Sequence, residues 1–203
     1  YPLVLTESLF SMEGTNAPIK GIAELCQKHG AKLLVDEAHA LGVMGNEGKG
    51  IGYGLSNSVD IISGTFGKAF GSGGAFLACN TEIGEHLLQT SGAFRYTTAL
   101  APPLTAAALA ALKLIKTNSH WGMQLQKRAK EWRDQLTIAG WTRPPGLGPI
   151  LSLKIGTNQA ALNSQSQLEA AGLLSVAIRP PTVPEGTARL RIALRKDLPN
   201  KAL

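Results

Sequence analysis

Cysteine and long apolar runs are scarce in this sequence of 203 residues. The two cysteines, Cys26 and Cys79, are far apart and lack the close spacing of a metal site. We therefore expect two reduced thiols in an intracellular, cytoplasmic protein, and no metal. No stretch reaches the roughly 18 uncharged apolar residues that a membrane-spanning helix requires, so we expect no membrane partner.

Runs of basic residues are also missing, although the net charge is +6. Neither a Lys/Arg cluster nor a basic patch interleaved with aromatic residues occurs, so the charge is weak support for a nucleic-acid partner and we expect none. Attraction to an anionic cofactor or substrate fits the same charge equally well.

In the first two thirds of the chain, short apolar segments alternate with longer segments whose apolar residues recur at helical spacing. An apolar strand at 3–7, a helix from 19 to about 29 and a fully apolar strand at 31–35 predict a strand–helix–strand unit of a parallel sheet. The chain opens as a strand already in progress and without an initiator Met, so we expect a piece of a longer protein. Further predicted elements are strands at 59–63 and 75–79, and helices at 82–90 (capped by Thr81), 102–116 and 121–139.

The segment 141–149 is rich in proline and glycine and predicts a domain boundary. After it, strands at 150–155, 174–178 and 188–194 and a helix at 159–171 predict a small α/β domain on an antiparallel or mixed sheet. We therefore predict a major domain over 1–140 and a small domain over 141–203.

One lysine, Lys68, follows an apolar strand on a glycine-flanked loop, with Phe66 and Phe70 on either side. We expect these rings to shield the lysine amine from water. Burial disfavours the charged form of lysine, so the amine would lose its proton more easily. A neutral amine can attack an aldehyde. A nucleotide phosphate loop is not predicted, because the glycine spacing is wrong and no hydroxyl residue follows the lysine.

A second apolar strand ends in Asp36, with His39 three residues further on. Pyridoxal phosphate requires a lysine for its aldehyde and a carboxylate that keeps its pyridine nitrogen protonated. The two strand ends together therefore predict a site for this cofactor. Taken alone, Asp36 could instead cap the following turn, and His39 could be structural.

Hydroxyls and arginines complete the candidate set. Thr65 lies three residues before Lys68, where a hydroxyl can meet a phosphate, and Ser11 follows a neighbouring strand; both residue types are also common in turns. Arg189 and Arg191 alternate along a strand and share one face. They either face solvent there or clamp a carboxylate in bidentate fashion.

The stretches 10–14, 35–39, 64–68 and 179–184 resemble the α-oxoamine synthases, which are fold-type I pyridoxal-phosphate enzymes, and the resemblance covers essentially the whole chain. It implies the three-layer α/β fold of the large domain of these transferases, here partial, with a mostly parallel sheet and flanking helices, followed by a small α+β domain. The chain corresponds to the second half of such an enzyme. In the family, a histidine that stacks on the cofactor and part of the phosphate cradle lie in the first half.

The resemblance also implies a role for each candidate residue. Lys68 would bond to the aldehyde of pyridoxal phosphate, and Asp36 would pair with its pyridine nitrogen. His39 and Ser11 would bind the phenolic oxygen of the cofactor, and Thr65 would bind its phosphate. Thr97 and Thr98 would contact the phosphate or substrate of the neighbouring subunit of a homodimer. Thr182 would line the substrate site, and Arg191 would bind the substrate carboxylate.

Within the family, the loop 179–191 is most similar to the member that joins L-alanine to a pimeloyl thioester, of CoA or a carrier protein, with loss of CO2 in biotin synthesis. Sister members acting on glycine or serine stay open as alternatives. A non-catalytic partner subunit of the same fold is a further alternative, although such subunits typically lose the lysine. A nucleotide-binding α/β module is the third interpretation.

Overall fold

The computed structural model describes residues 2–55 and 58–199, which form two compact units. The first unit runs to Leu9 and then from Asn16 to Met123, and the second comprises Phe10–Thr15 and the chain from Gln124 onward. The division therefore falls before 124, whereas the sequence placed it near 140. The reason is that Ala129 and Trp132 bury their side chains with Leu151 and Leu194 of the second unit.

The first unit is built on a four-stranded sheet. Its strands lie in the order β1, β2, β3, β4; the first three are parallel and β4 is antiparallel to β3. This mostly parallel sheet with helices confirms the predicted fold class. The elements are β1 (Leu3–Glu7), α1 (Ile19–Lys28), β2 (Lys32–Asp36), a 3-10 turn (Asn46–Gly48), β3 (Ile61–Thr65), β4 (Ala75–Cys79), α2 (Thr81–Thr90), α3 (Gly92–Arg95), α4 (Pro102–Thr117) and the start of α5 (Trp121–Ile138).

Helix α1 covers one face of this sheet. Pro18 precedes its first turn, and Gly30, with φ +63°, follows its last. The buried face of the helix packs against Leu33 and Val35 of β2. Because side chains alternate along a strand, Leu34 and Asp36 belong to the other face. The residues that α1 buries are Ile19, Ala23 and Cys26.

Several element boundaries differ from the predicted ones. β2 begins one residue later and β3 two residues later than predicted. Asp60, just before β3, is joined to Leu33 of β2 by two hydrogen bonds: its carboxylate accepts from Leu33 N (2.9 Å) and its backbone N donates to Leu33 O (2.9 Å). The cap of α2 is Asn80 rather than Thr81, since the Asn80 side chain accepts from Ile83 N (2.9 Å).

The second unit is a three-stranded antiparallel sheet with helices. Its strands lie in the order β5, β7, β6, so β7 is central. Helix α5 supplies Ala129 and Trp132 to its core. The antiparallel sheet confirms the small α+β domain that the sequence predicted. The remaining elements are β5 (Ile150–Gly156), α6 (Asn158–Ala170), β6 (Val176–Ile178) and β7 (Ala188–Ala193).

A buried arginine holds the proline- and glycine-rich segment that precedes β5. Arg133 is 2% exposed and donates hydrogen bonds to the carbonyls of Pro144 (3.2 Å) and Ile150 (2.9 Å). Burial, with a smaller contribution from the nearby Arg143 charge, lowers the pKa of Arg133. The segment is therefore fixed by side-chain bonds to backbone oxygens and needs no regular secondary structure.

Of the helices in 2–55 and 58–199, none combines the length and the apolar character that crossing a membrane would take. Both cysteines are free thiols; Cys26 is buried and Cys79 is half-buried.

Asp60 provides a test of how β2 and β3 are joined. Burial alone would raise its pKa, but hydrogen bonds from Lys32 Nζ (2.8 Å) and Leu33 N outweigh this and leave the pKa below its usual value of 3.8. Because the folded pKa is depressed, the stabilisation is fully present above the unfolded pKa and is lost as the pH falls through the folded one. We expect Asp60→Asn to lower the free energy of unfolding by about 1 kcal/mol at pH 7.

This difference, measured by urea unfolding of the whole protein, should shrink as the pH falls below 3.8 and through the folded pKa. Lys32→Ala is the comparison variant, because it removes the exposed ion pair with Asp60 and keeps the hydrogen bond from Leu33 N; this exposed pair should contribute less than about 1 kcal/mol. A deficit in Asp60→Asn that is the same at pH 7 and pH 3 would contradict this account.

Candidate active site

The carboxyl ends of the three parallel strands meet at one edge of the first sheet. In the β1–β2 pairing Glu7 lies opposite Asp36, and in the β2–β3 pairing Asp36 lies opposite Ser63. Thr65 ends β3 two residues further along, on the same face as Ser63. This edge is where open α/β sheets bind ligands. The structure therefore places Asp36 and Thr65 on adjacent strands, as the sequence predicted.

Asp36 also caps the turn that follows β2. Its Oδ1 accepts a hydrogen bond from Ala38 N (2.8 Å), and the side chain is half-buried. The turn continues through His39, which is half-buried too. The capping interpretation of Asp36 is thus correct, and it is compatible with a ligand role because the cap occupies Oδ1.

Lys68 lies on a closed loop after β3. The loop is joined at its base by Phe66 N donating to Gly74 O (2.9 Å) and Ser72 N donating to Phe66 O (2.8 Å). Thr65 Oγ1 accepts from Gly67 N (3.1 Å) and donates to Gly74 O (3.2 Å), so its hydroxyl spans the same base. The loop therefore presents Lys68 beside the strand end that carries Thr65.

The prediction that Lys68 is shielded from water is wrong for this chain, because Lys68 is exposed. The rings of Phe66 and Phe70 meet edge to face, with centroids 5.5 Å apart, and Phe66 also contacts Phe76 at 5.3 Å. These rings pack against one another, and Lys68 between Phe66 and Phe70 in the sequence stays exposed.

The second unit holds Ser11 and Arg191 together. Arg191 lies on the central strand β7, and its Nε donates to Ser11 O (2.7 Å). Burial lowers the pKa of Arg191, whose side chain is half-buried. No hydrogen bond from Arg191 Nη1 or Nη2 is formed within the described ranges, so the planar end of the guanidinium can take up a carboxylate.

Arg189 anchors the same turn at a second point. It is 8% exposed, forms an ion pair with Glu13, and donates from Nε to Thr187 O (3.1 Å). The two arginines share one face of β7, as the alternation predicted. The partner of Arg189 could not be predicted, because Glu13 precedes it by more than 170 residues and no local spacing links the two.

The other candidates lie on exposed segments. Thr182 lies in the second unit, where its N donates to Arg179 O (3.0 Å). Thr97 and Thr98 lie in the first unit, in the segment after α3, and both are exposed. Their contact with a neighbouring subunit stays a prediction. Within 2–55 and 58–199, no three His, Cys, Asp or Glu side chains are grouped to hold a metal ion.

Residues 2–201 match the family model described as aminotransferase class I and II. The chain belongs to this family. Members of the family among the curated proteins include the 8-amino-7-oxononanoate synthase of Anaeromyxobacter dehalogenans (strain 2CP-C), 42% identical over 194 residues, and that of Cupriavidus necator, 44% identical over 200 residues. The alignments cover 95% of this chain but 49% and 50% of those proteins. The chain thus spans about half the length of these relatives.

Solved structures of the family share the fold. Sphingomonas wittichii serine palmitoyltransferase aligns with a TM-score of 0.91 and 29% identity, over 98% of this chain and 51% of its own. A serine palmitoyltransferase with a pyridoxal-phosphate internal aldimine aligns with the same TM-score of 0.91 and the same 29% sequence identity. The 8-amino-7-oxononanoate synthase of Francisella tularensis aligns with a TM-score of 0.86 and 27% sequence identity, over 98% of this chain and 58% of its own.

The residues at the strand edge fit a pyridoxal-phosphate cofactor. An aldehyde needs an accessible amine, which the exposed Lys68 supplies on a closed loop. A protonated ring nitrogen needs a carboxylate, which Asp36 supplies on the adjacent strand. Thr65 must turn its hydroxyl away from Gly74 O to donate to a phosphate. Lys68 and Asp36 therefore fit the cofactor in their present positions, and Thr65 fits it once its hydroxyl has rotated away from Gly74 O.

Gly14 tests how tightly the Ser11 turn is held. It has φ +72°, and a methyl group there would overlap the carbonyl of Ile150. We expect Gly14→Ala to lower the free energy of unfolding by more than about 1 kcal/mol, because both strain and overlap oppose it. Thermal unfolding of the whole protein measures the loss.

Gly21→Ala is the control, since Gly21 lies in α1 and a methyl group there would meet nothing within 4 Å. Alanine favours a helix over glycine by about 0.5–1 kcal/mol, so this variant should be stabilised. Equal unfolding temperatures for the two variants would show that the Gly14 contact carries no strain.

Proposed function

We propose that the whole protein is a pyridoxal-phosphate-dependent α-oxoamine synthase. It joins L-alanine to a pimeloyl thioester, on CoA or a carrier protein, with loss of CO2, and so makes 8-amino-7-oxononanoate for biotin synthesis. The observation that carries this proposal is the adjacency of the Asp36 strand end and the Thr65–Lys68 loop at one edge of a parallel sheet. The identities of 42–44% to synthases of that name support the substrate choice.

When bound, pyridoxal phosphate supplies an electron sink for negative charge on the amino-acid α-carbon. Asp36 would hold the proton on the pyridine nitrogen, because a nearby carboxylate favours the charged form of a base. Lys68 Nζ would bind the aldehyde and, once displaced by the amino acid, take the α-proton. His39 and Ser11 would hold the phenolic oxygen, and Thr65 the phosphate.

Substrate positioning falls to the second unit and to a neighbouring subunit. Arg191 would clamp the carboxylate of the amino acid with Nη1 and Nη2 while Nε keeps its bond to Ser11 O (2.7 Å). Thr182 would line the substrate site. Thr97 and Thr98 would reach the phosphate or substrate of the partner in a homodimer, which we place in the cytoplasm. Catalysis then rests on cofactor electronics and on positioning.

A serine palmitoyltransferase-like activity is the second candidate. It is favoured by the higher TM-scores, 0.91 against 0.86, of the serine palmitoyltransferase structures. Glycine C-acetyltransferase and 5-aminolevulinate synthase share the same expected Asp36, His39 and Lys68. A non-catalytic partner subunit fits less well, because Lys68 is present and accessible.

The role of Lys68 is tested by reduction with borohydride. In the cofactor-loaded whole protein, the label should appear on the peptide that contains Lys68, and Lys68→Ala should lose the label and at least about a thousandfold of kcat, as loss of a covalent nucleophile does. Lys20→Ala, an exposed lysine of α1, is the control and should keep both. A label on another lysine would refute the assignment.

A substrate screen separates the family members. We expect the highest kcat/KM for L-alanine with a pimeloyl thioester, in a matrix of alanine, glycine and serine against pimeloyl, acetyl, succinyl and palmitoyl thioesters. Preference for serine with the palmitoyl donor would instead establish the second candidate.

A further inference from the structure

Glu37, the residue after Asp36, is buried to 1% exposure although carboxylates are seldom buried without compensation. Three donors surround it. Ser8 Oγ donates at 2.6 Å, Gly52 N at 2.5 Å and Ile51 N at 3.1 Å. These donors are a hydroxyl and two backbone N–H groups, and hydrogen bonds of this kind offset the cost of burying a carboxyl group.

The three donors come from two distant segments of the first unit. Ser8 follows β1, and its own N donates to Asp36 O (2.9 Å). Ile51 and Gly52 belong to the glycine-rich loop after β2. That loop approaches closely, because a methyl group at Gly50, whose φ is +95°, would lie 2.9 Å from the Glu37 carboxylate. The carboxylate therefore ties the loop and the end of β1 to one point.

The backbone of Glu37 makes further bonds from the same position. Its N donates to Ser63 O (2.8 Å) of β3, and its O accepts from Ala40 N and Leu41 N, both at 2.9 Å. These last two bonds close the turn that contains His39. Glu37 thus joins the end of β1, the middle of β3, the glycine-rich loop and the turn that follows Asp36.

We propose that Glu37 is a positioning residue that sets the direction of Asp36 and His39 toward the cofactor. Successive side chains of an extended segment point to opposite sides, so holding the Glu37 carboxylate on the covered side fixes Asp36 on the other. This inference rests on the proposed function. Glu37 itself touches neither cofactor nor substrate in this role.

Glutamine cannot replace the carboxylate in this arrangement. Both carboxylate oxygens accept from backbone N–H groups, Oε1 from Gly52 and Oε2 from Ile51. In Glu37→Gln the side-chain NH2 must face one of these N–H groups, whichever way the amide is turned. The loop and the turn must then separate, and Asp36 shifts with the turn.

The test uses Glu37→Gln in the cofactor-loaded whole protein. We expect kcat to fall about tenfold to a hundredfold, as small misplacements of catalytic groups do. The visible absorbance of the bound cofactor should change, and its dissociation constant should rise about tenfold, the size seen when outer-shell partners of metal ligands are removed. KM for the amino acid should stay within about twofold, because Arg191 lies outside this network.

Two further variants keep the test decisive. Glu24→Gln changes an exposed carboxylate of α1 and should leave every value unchanged. Ser8→Ala removes one donor and keeps the two backbone donors, so it should change kcat and the absorbance in the same direction by about threefold, the scale of one neutral hydrogen bond. If Glu37→Gln does not fold, Ser8→Ala decides the question.

A variant with a lower unfolding temperature but unchanged kcat, absorbance and cofactor affinity would overturn the positioning role and leave Glu37 purely structural. The proposed function fails separately, and this inference fails with it, if the unmutated protein takes up no cofactor and shows no visible absorbance.

Discussion

The register between β2 and β3 is the constraint on which the candidate site depends. Asp36 lies opposite Ser63 only because Leu33 and Val35 are buried under α1, which fixes the face that every residue of β2 presents. A shift of one residue would turn Asp36 toward the helix and bring Val35 or Glu37 opposite Ser63 in its place. Packing on one face of the sheet therefore sets the chemistry available on the other.

Buried or half-buried charged groups then fix the segments that have no regular secondary structure. Glu37 holds the loop around 50–52 and the turn after β2, Arg133 holds the segment before β5, and Arg189 with Arg191 hold the turn of Ser11. A charge removed from water requires full compensation, so each of these side chains permits few backbone arrangements around it. Turns that carry candidate residues gain a defined shape in this way.

The similar proteins agree on the family and differ in which member they favour. Two curated 8-amino-7-oxononanoate synthases are 42% and 44% identical to this chain, whereas the serine palmitoyltransferase of Sphingomonas wittichii superposes with a TM-score of 0.91, against 0.86 for the Francisella tularensis 8-amino-7-oxononanoate synthase. Backbone geometry changes slowly within a family, so the TM-score reports the fold and the identity reports more on the side chains. Lys68 is exposed despite Phe66 and Phe70 in this chain, which spans about half the length of its relatives.

The sequence by itself determined the alternation of strands and helices, the mostly parallel first sheet, and the strand-end positions of Asp36 and Thr65, because these follow from local periodicity and from turn residues. It did not determine that α5 packs with the second unit, that Asn80 rather than Thr81 caps α2, or that Lys68 is exposed. Nor did it pair Glu13 with Arg189 or reveal the donors to Glu37. Those features arise from contacts between residues far apart in the chain, and only the folded backbone brings such residues within bonding distance.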